Sequence, residues 1–435
     1  MNELALGIAS CIFLLAFFLT GIELAFGIAI TGIAGYALLS GFDAAYNLLA
    51  QDFLDTFSSY SLTVIPLFML MGQIVFNAGI AQTLYDGVYK IVGRVPGGLA
   101  MATVVAATLF KAMCGSTLAT AATFSSVAIP QMTRYRYSKK LSTGVVASVG
   151  TIGIIIPPSV VLIIFGIMTE QSIGKLFLAG IFPGLLISFF FIAVIYGWCK
   201  IDPSLGPGST VKAPLREKIR TLPDFAAVGV IFIIVIGGLM SGIFTPTEAG
   251  TIGTIAVLVL ALLKKGLSFM AFFKSVDESL RASIMVLFLI ACSAVLGHFL
   301  AITEIPQLTG DWLTNLPLSR SLIMIIICLF YLLGGSFIDD LAFMILATPI
   351  VYPAISRLGY DPIWFGIMVA VTIMVGSILP PVAISVFVVK NITGEPFGTI
   401  YKGVIPFLAS FIIVGGLLFF FPGIATWLPY TLMGK

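Results

Sequence analysis

Apolar stretches alternate with short polar ones along almost the whole chain, and several exceed the roughly 18 residues that mark a membrane-spanning helix. Leu4–Thr20 and Ile22–Ser40, joined at Gly21, read as two such helices. So do Ser61–Ala78, Leu176–Cys199, Asp224–Met240, Thr247–Leu263, Ala282–Ala301 and Val404–Phe421. Two longer runs, Leu141–Met168 and Ile363–Val389, are also long enough to span. In two other places the run is cut in half. Leu99–Phe110 and Leu118–Ile129, the latter closed by Pro130, flank Lys111–Thr117; Leu322–Leu333 and Leu341–Val351 flank Gly334–Asp340. Pieces of about a dozen residues are too short to cross. Each pair is therefore expected to form a re-entrant hairpin that turns in mid-membrane and leaves on the side it entered.

The two long runs share a further feature. Gly150 and Gly153 precede Pro157-Pro158 in one, and Gly376 precedes Pro380-Pro381 in the other. A proline pair removes two backbone donors and clashes with the preceding turn, and glycine loosens that turn. Both helices should break near mid-membrane and leave backbone groups unpaired. Such backbone is tolerated at that depth only where it is buried in protein or lines a cavity. A single Pro pair is equally well explained as a kink; its recurrence beside a hairpin in both halves is not.

Composition fixes the class. Only 9% of residues are charged and 59% are hydrophobic, whereas a soluble domain carries roughly a quarter charged residues. The chain is expected to be an all-α polytopic membrane protein. No basic region precedes Leu4, so the first run reads as a membrane helix and not as a cleaved signal. A net charge of +3, with the bases dispersed among loops, does not suggest nucleic acid. Those bases set a topology through the positive-inside rule. The segments holding Lys90 and Arg94, Arg134–Lys140, Lys200–Arg220 and Lys264–Arg281 should be cytoplasmic. Gly41–Thr56 and Thr303–Leu318, acidic and without bases, should be external, with Arg357 a mild exception offset by Asp361. Cys11, Cys114, Cys199, Cys292 and Cys328 form no CxxC or Cys/His cluster, so no metal framework or disulfide set is indicated. His298, the only histidine, fits a packed, hydrogen-bonded side chain better than a proton relay. No HExxH or paired Ser/His arrangement is present, so an enzyme is not expected and no catalytic residue is assigned.

The two halves repeat at a spacing of roughly 220 residues. Gly21 and Gly32 match Gly242 and Gly253; Gly115-Ser116 matches Gly335-Ser336; Pro157-Pro158 matches Pro380-Pro381. Glu170, Gly174, Gly180 and Pro183 match Glu395, Gly398, Gly403 and Pro406. Each half holds about five crossings, one hairpin and one broken helix, and an odd number of crossings inverts the second half. Inverted repeats with discontinuous helices are a signature of secondary transporters. The expected division is residues 1–200 as the first repeat, 201–222 as a cytoplasmic linker and 223–435 as the second repeat. Helices within 4–40 and 224–263 would be scaffold; elements within 99–168 and 322–389 would be transport elements.

Cys114-Gly115-Ser116-Thr117-Leu118-Ala119-Thr120, Gly153-Ile154-Ile155-Ile156-Pro157-Pro158-Ser159, Gly335-Ser336-Phe337-Ile338-Asp339 and Gly376-Ser377-Ile378-Leu379-Pro380-Pro381 resemble the large membrane subunit of tripartite ATP-independent periplasmic (TRAP) transporters, the DctM family. The likeness covers essentially the whole chain. Thr117 stands where many relatives have a second Ser, and Asp340 stands where a small or hydroxylated residue is common. The resemblance implies an ion-coupled, usually sodium-driven importer of organic anions in the bacterial inner membrane, working by an elevator movement without a cofactor. It also implies two partners: a small four-helix DctQ-like membrane subunit, not fused at this N-terminus, and a DctP-like periplasmic binding protein. Sodium needs several hard oxygen ligands, which carbonyls at unwound breaks supply. The expected cation ligands are Gly153, Ile156 and Pro158 with the Gly115-Ser116-Thr117 tip, and Gly376, Leu379 and Val382 with the Gly335 tip. The anion is expected between the tips, at Ser116, Thr117, Ser336, Asp339 and Ser377, where half-helix N-termini present amides. Asp340 is expected on the exposed side of its tip, and Lys111 is expected to snorkel along its hairpin. A stand-alone divalent-anion symporter and a channel are the alternatives, and the identity of the anion stays open.

Overall fold

The computed structural model describes residues 3–18, 22–208 and 214–434, and among these it is helical with no strand. The expected joint at Thr20-Gly21 and Lys212 of the linker lie outside the described residues. In the first half, α1 (Glu3–Phe18) and α2 (Leu24–Ser40) are followed by α3 (Phe42–Ser58), α4 (Val64–Asn77) and α5 (Ile80–Val92). The first hairpin is α6 (Gly98–Lys111) and α7 (Thr117–Arg134). The first broken helix is α8 (Lys139–Thr151) and α9 (Val160–Met168), and α10 (Ile173–Ile201) closes the half. After the short α11 (Leu215–Arg220), the second half runs through α12 (Leu222–Met240), α13 (Pro246–Leu263), α14 (Phe269–Ile302) and α15 (Ile305–Asn315). Its hairpin is α16 (Arg320–Phe337) and α17 (Asp340–Arg357), and its broken helix is α18 (Pro362–Gly376) and α19 (Ile384–Thr393). α20 (Phe397–Phe420) and α21 (Gly423–Met433) end the described chain.

Seven helices among the described residues are long and apolar enough to cross a bilayer, including α10, α13, α14, α16 and α20. The limbs of the broken helices and α6 are shorter, as the sequence predicts, but α7, α16 and α17 each run to 18 residues, longer than the dozen-residue hairpin arms expected, because the polar residues at the tips and ends continue the helices. The same succession of hairpin, broken helix and long helix occurs in both halves. Matching glycines set matching contacts. A Cβ on Gly32 of α2 would lie 2.8 Å from the Leu296 amide of α14, and one on Gly253 of α13 would lie 2.7 Å from Met71 Sδ of α4. Gly32 lets α2 approach the α14 backbone, as small residues do at helix interfaces in membranes, and Gly253 makes room for the Met71 side chain of α4. α2–α14 and α4–α13 thus form two equivalent pairs across the halves.

Several expectations are corrected. Segments expected as loops are partly helical: Gly41–Thr56 holds α3, the region of Lys90 holds most of α5, and Thr303–Leu318 holds α15. α5 buries Ile80, Leu84, Tyr85 and Val88 on one face, a helical periodicity that charge counting overlooks. Pro130 does not end its helix; α7 continues to Arg134, since proline removes one hydrogen bond and the next turn can still form. Arg357 pairs with Asp311 of α15. Asp361 caps α18, accepting from the Trp364 amide at 2.9 Å. His298 is hydrogen bonded, its Nδ1 lying 3.0 Å from Asp52 Oδ2.

Candidate functional site

The first hairpin leaves helical geometry between Lys111 and Thr117. Ser116 restarts the chain as the N-cap of α7, its Oγ accepting from the Ala119 amide at 3.2 Å, so one orphan amide is satisfied by a hydroxyl. The tip sits against the first break: a Cβ on Gly115 would lie 2.8 Å from the Pro158 carbonyl oxygen. Across that break Ser159 does two jobs. Its hydroxyl donates to the Ile154 carbonyl at 2.5 Å and accepts from the Leu162 amide at 3.4 Å, capping α9. No backbone amide among the described residues donates to the carbonyls of Ile156 or Pro158. Gly153, Ile156, Pro157 and Pro158 are all buried.

The second pair is built differently. α16 runs on to Phe337, so Gly335 and Ser336 lie in its last turn and the tip proper is Ile338-Asp339. Asp339 makes this possible by capping α17, its carboxylate accepting from the Leu341 amide at 3.2 Å. The hairpin and break meet backbone to backbone: a Cβ on Gly376 would lie 2.7 Å from both the Gly335 carbonyl carbon and the Leu332 oxygen. The Val382 amide donates to the Ser336 carbonyl at 3.1 Å. Pro380, Pro381 and Val382 are exposed, in contrast to the closed first break. α19 follows Ala383, which is in the left-handed conformation, φ +51°, with no side-chain cap, and the Ser385 amide in its first turn donates across the break to the Ser377 carbonyl at 3.2 Å.

Tip residues of both hairpins line one cavity of about 140 Å³, Gly115 and Ser116 from one side and Asp339 from the other. Its walls come from α4 (Phe68, Gly72, Gln73) and α14 (Met285, Val286). These wall residues, and Cys114 beside the tip, have no signal of their own in the sequence; Gly72 and Gln73 merely interrupt an apolar run. Ser336 and Ser377 are buried, their hydroxyls donating to the Leu333 carbonyl at 2.7 Å and the Met374 carbonyl at 3.0 Å, and neither lines this cavity. Thr117 is half-buried, and Leu379 and Val382 lie on the open side of the second break.

Two charged residues lie elsewhere than expected. Lys111 does not snorkel: it is 0% exposed, and its Nζ donates to the Ser116 carbonyl at 2.6 Å. Asp340 is buried, its carboxyl within reach of the Thr117 side chain and of the Lys111 charge. A lysine snorkels only where its stem can reach water, and here the second hairpin and the first break close over it.

The chain matches the family model of the "Tripartite ATP-independent periplasmic transporter, DctM component" over residues 11–424. The chain belongs to the DctM family. Among its relatives, the C4-dicarboxylate TRAP transporter large permease protein DctM of Pseudomonas aeruginosa is 34% identical, covering 88% of this chain and 89% of that one. The sialic acid TRAP transporter large permease protein SiaM of Vibrio cholerae is 32% identical over 89% and 90% of the two chains. The fold is that of the Alcanivorax borkumensis YdaH transporter, with a TM-score of 0.62 over 90% of this chain and 89% of that one at 12% identity. Membership of the DctM family makes the chain the large permease component of such a transporter, and the hairpins and broken helices are the family member's own discontinuous elements.

Proposed function

We propose that the chain is the large permease subunit of a sodium-coupled importer of a small organic acid in the bacterial inner membrane. It receives its substrate from a periplasmic binding protein and works beside a small membrane subunit. The observation that carries this reading is the convergence of the two hairpin tips, one from each half, on a single cavity walled by α4 and α14. The organic acid binds there, at Ser116 and the amides of the tips, with the Asp339 carboxylate offset by a bound cation or a proton and with Thr117, Ser336 and Ser377 in the surrounding layer. Cations bind at the carbonyls of the hairpin–break pairs. That two relatives carry dicarboxylate and sialic acid in their names supports a carboxylate substrate. The two halves are inverted repeats, and the hairpins with the broken helices move as one body against α1, α2, α12 and α13. Exchange between two similar-energy arrangements, open to opposite sides, gives alternating access.

Uptake by proteoliposomes holding both membrane subunits tests this, using labelled C4-dicarboxylates, sialic acid and other organic acids. Uptake is expected only with the cognate binding protein outside and with sodium, and not with choline in its place. Uptake without any binding protein would favour the stand-alone symporter.

A further inference from the structure

The two hairpin–break pairs match in sequence but not in what fills them. At the second pair the space between Gly376 and the end of α16 is taken up by backbone alone. At the first pair it holds a charged side chain. A Cβ on Gly153 would fall 1.8 Å from Lys111 Nζ and 2.2 Å from its Cε, so the end of the lysine occupies the surface that the missing glycine side chain leaves open. The Ser116 carbonyl, at the centre of the first tip, accepts from Lys111 Nζ at 2.6 Å, from Thr120 Oγ1 at 3.0 Å and from the Thr120 amide at 3.2 Å. An sp² oxygen with three donors has no lone pair left for a metal ion. Lys111 does not line the cavity between the tips, so it is not placed to hold the organic acid. Asp340 of the other hairpin is buried and its charge acts on Lys111 from beyond ion-pair distance; its Oδ1 makes no hydrogen bond. A buried ammonium needs such partners, because an isolated one is expensive at this depth.

We infer that the Lys111 ammonium fills the first hairpin–break cage as a tethered cation, so that sodium binds at the second pair and not at the first. This deepens the proposed function and rests on its assignment of the hairpin–break pairs as cation sites. The ammonium supplies the positive charge and the donors that hold the Gly115-Ser116 tip against the first break. A sodium ion placed there would meet both a like charge and an oxygen already saturated. The second break carries no such charge against its glycine, and Leu379 is half-buried there with Pro380, Pro381 and Val382 not covered by the chain.

The test counts sodium ions on the purified full chain. Thermal unfolding is followed as sodium chloride replaces choline chloride at constant ionic strength, and the dependence of stabilisation on the logarithm of sodium concentration reports the number of ions bound. The native chain should show one ion, Lys111→Ala should show two, and Gly376→Ala should lose the response. A native chain that binds two ions, or a Gly376→Ala variant that keeps one, would overturn the tethered-cation assignment while leaving the cation sites standing. So would a folded Lys111→Ala variant that still binds only one. If Lys111→Ala does not fold in either salt, the native chain and Gly376→Ala decide the matter alone. No sodium response in either the native chain or Lys111→Ala would remove the cation-site reading and this inference with it.

Discussion

At the scale of single residues, the site depends on what is absent. Gly153 has an ordinary backbone conformation; only the glycines at the turns and helix ends take positive φ. Its role is room: a methyl group there would displace the end of Lys111 from the Ser116 carbonyl. Gly153→Ala should therefore lower stability by about 1–3 kcal/mol, the usual result of leaving a buried polar group unsatisfied. In a Lys111→Ala background the same change should be close to neutral. A double-mutant cycle read by thermal unfolding would give a coupling of about 0.5–3 kcal/mol if the two residues share this space, and additive effects would show that they do not. The positions of the glycines and prolines are legible in the sequence because those residues act through their own backbone. The fate of Lys111 and Asp340 is not. Their burial depends on contacts between the two hairpins, which lie in opposite halves of the chain, and no local pattern encodes that.

At the scale of elements, the two breaks solve one problem in two ways. Ser159 satisfies both ends of the first break with a single hydroxyl; the second break is bridged by backbone, the Ser385 amide donating to the Ser377 carbonyl at 3.2 Å. Ser159→Ala should cost about 1 kcal/mol, as N-cap losses do, and should loosen the closed first break. The expected readout is faster hydrogen exchange at the first amides of α9 with α19 unchanged. Equal exchange in both variants would show that proline geometry alone holds the break. The breaks, both hairpins and the long helices were readable from apolar run length and Pro-Pro placement. α3, α5 and α15 were not, because their polar faces read as loop in a hydropathy pattern. The 3.6-residue periodicity of Ile80, Leu84 and Val88 was nonetheless present to be found. The second tip lies about one turn beyond Gly335-Ser336 because α16 runs on past them and Asp339 caps α17.

At the scale of the whole molecule, function turns on whether the tips move past the scaffold or stay beside it. The two sides should be set by the basic segments: Lys139→Cys, whose native side chain is well exposed beside Glu395, should resist an impermeant external thiol reagent in oriented vesicles, and labelling from outside would invert the topology. The motion itself can be tested with a cysteine the chain already has. Cys114 lies at the first tip, and Gly72 faces it from α4: a Cβ on Gly72 would lie 3.4 Å from Cys114 Cβ and 3.0 Å from its sulfur. That separation is near the Cβ–Cβ range of a disulfide, so Gly72→Cys should cross-link to Cys114 on oxidation and tie the first hairpin to α4, which packs against the scaffold helix α13. If hairpins and broken helices travel together, the oxidised variant should bind sodium but take up no substrate, and reduction should restore uptake. Cys114→Ser in the same background should transport regardless of oxidant. The physical ground is that hairpins and breaks satisfy one another's backbone groups, as at Ser336 and Val382, so separating them would leave amides and carbonyls bare in lipid. The α4 surface forms no backbone hydrogen bond with the tip among those described, so sliding there breaks only side-chain packing. Uptake that persisted in the cross-linked protein would mean that the tip stays against α4 throughout the cycle and that access alternates by local gating around a fixed site.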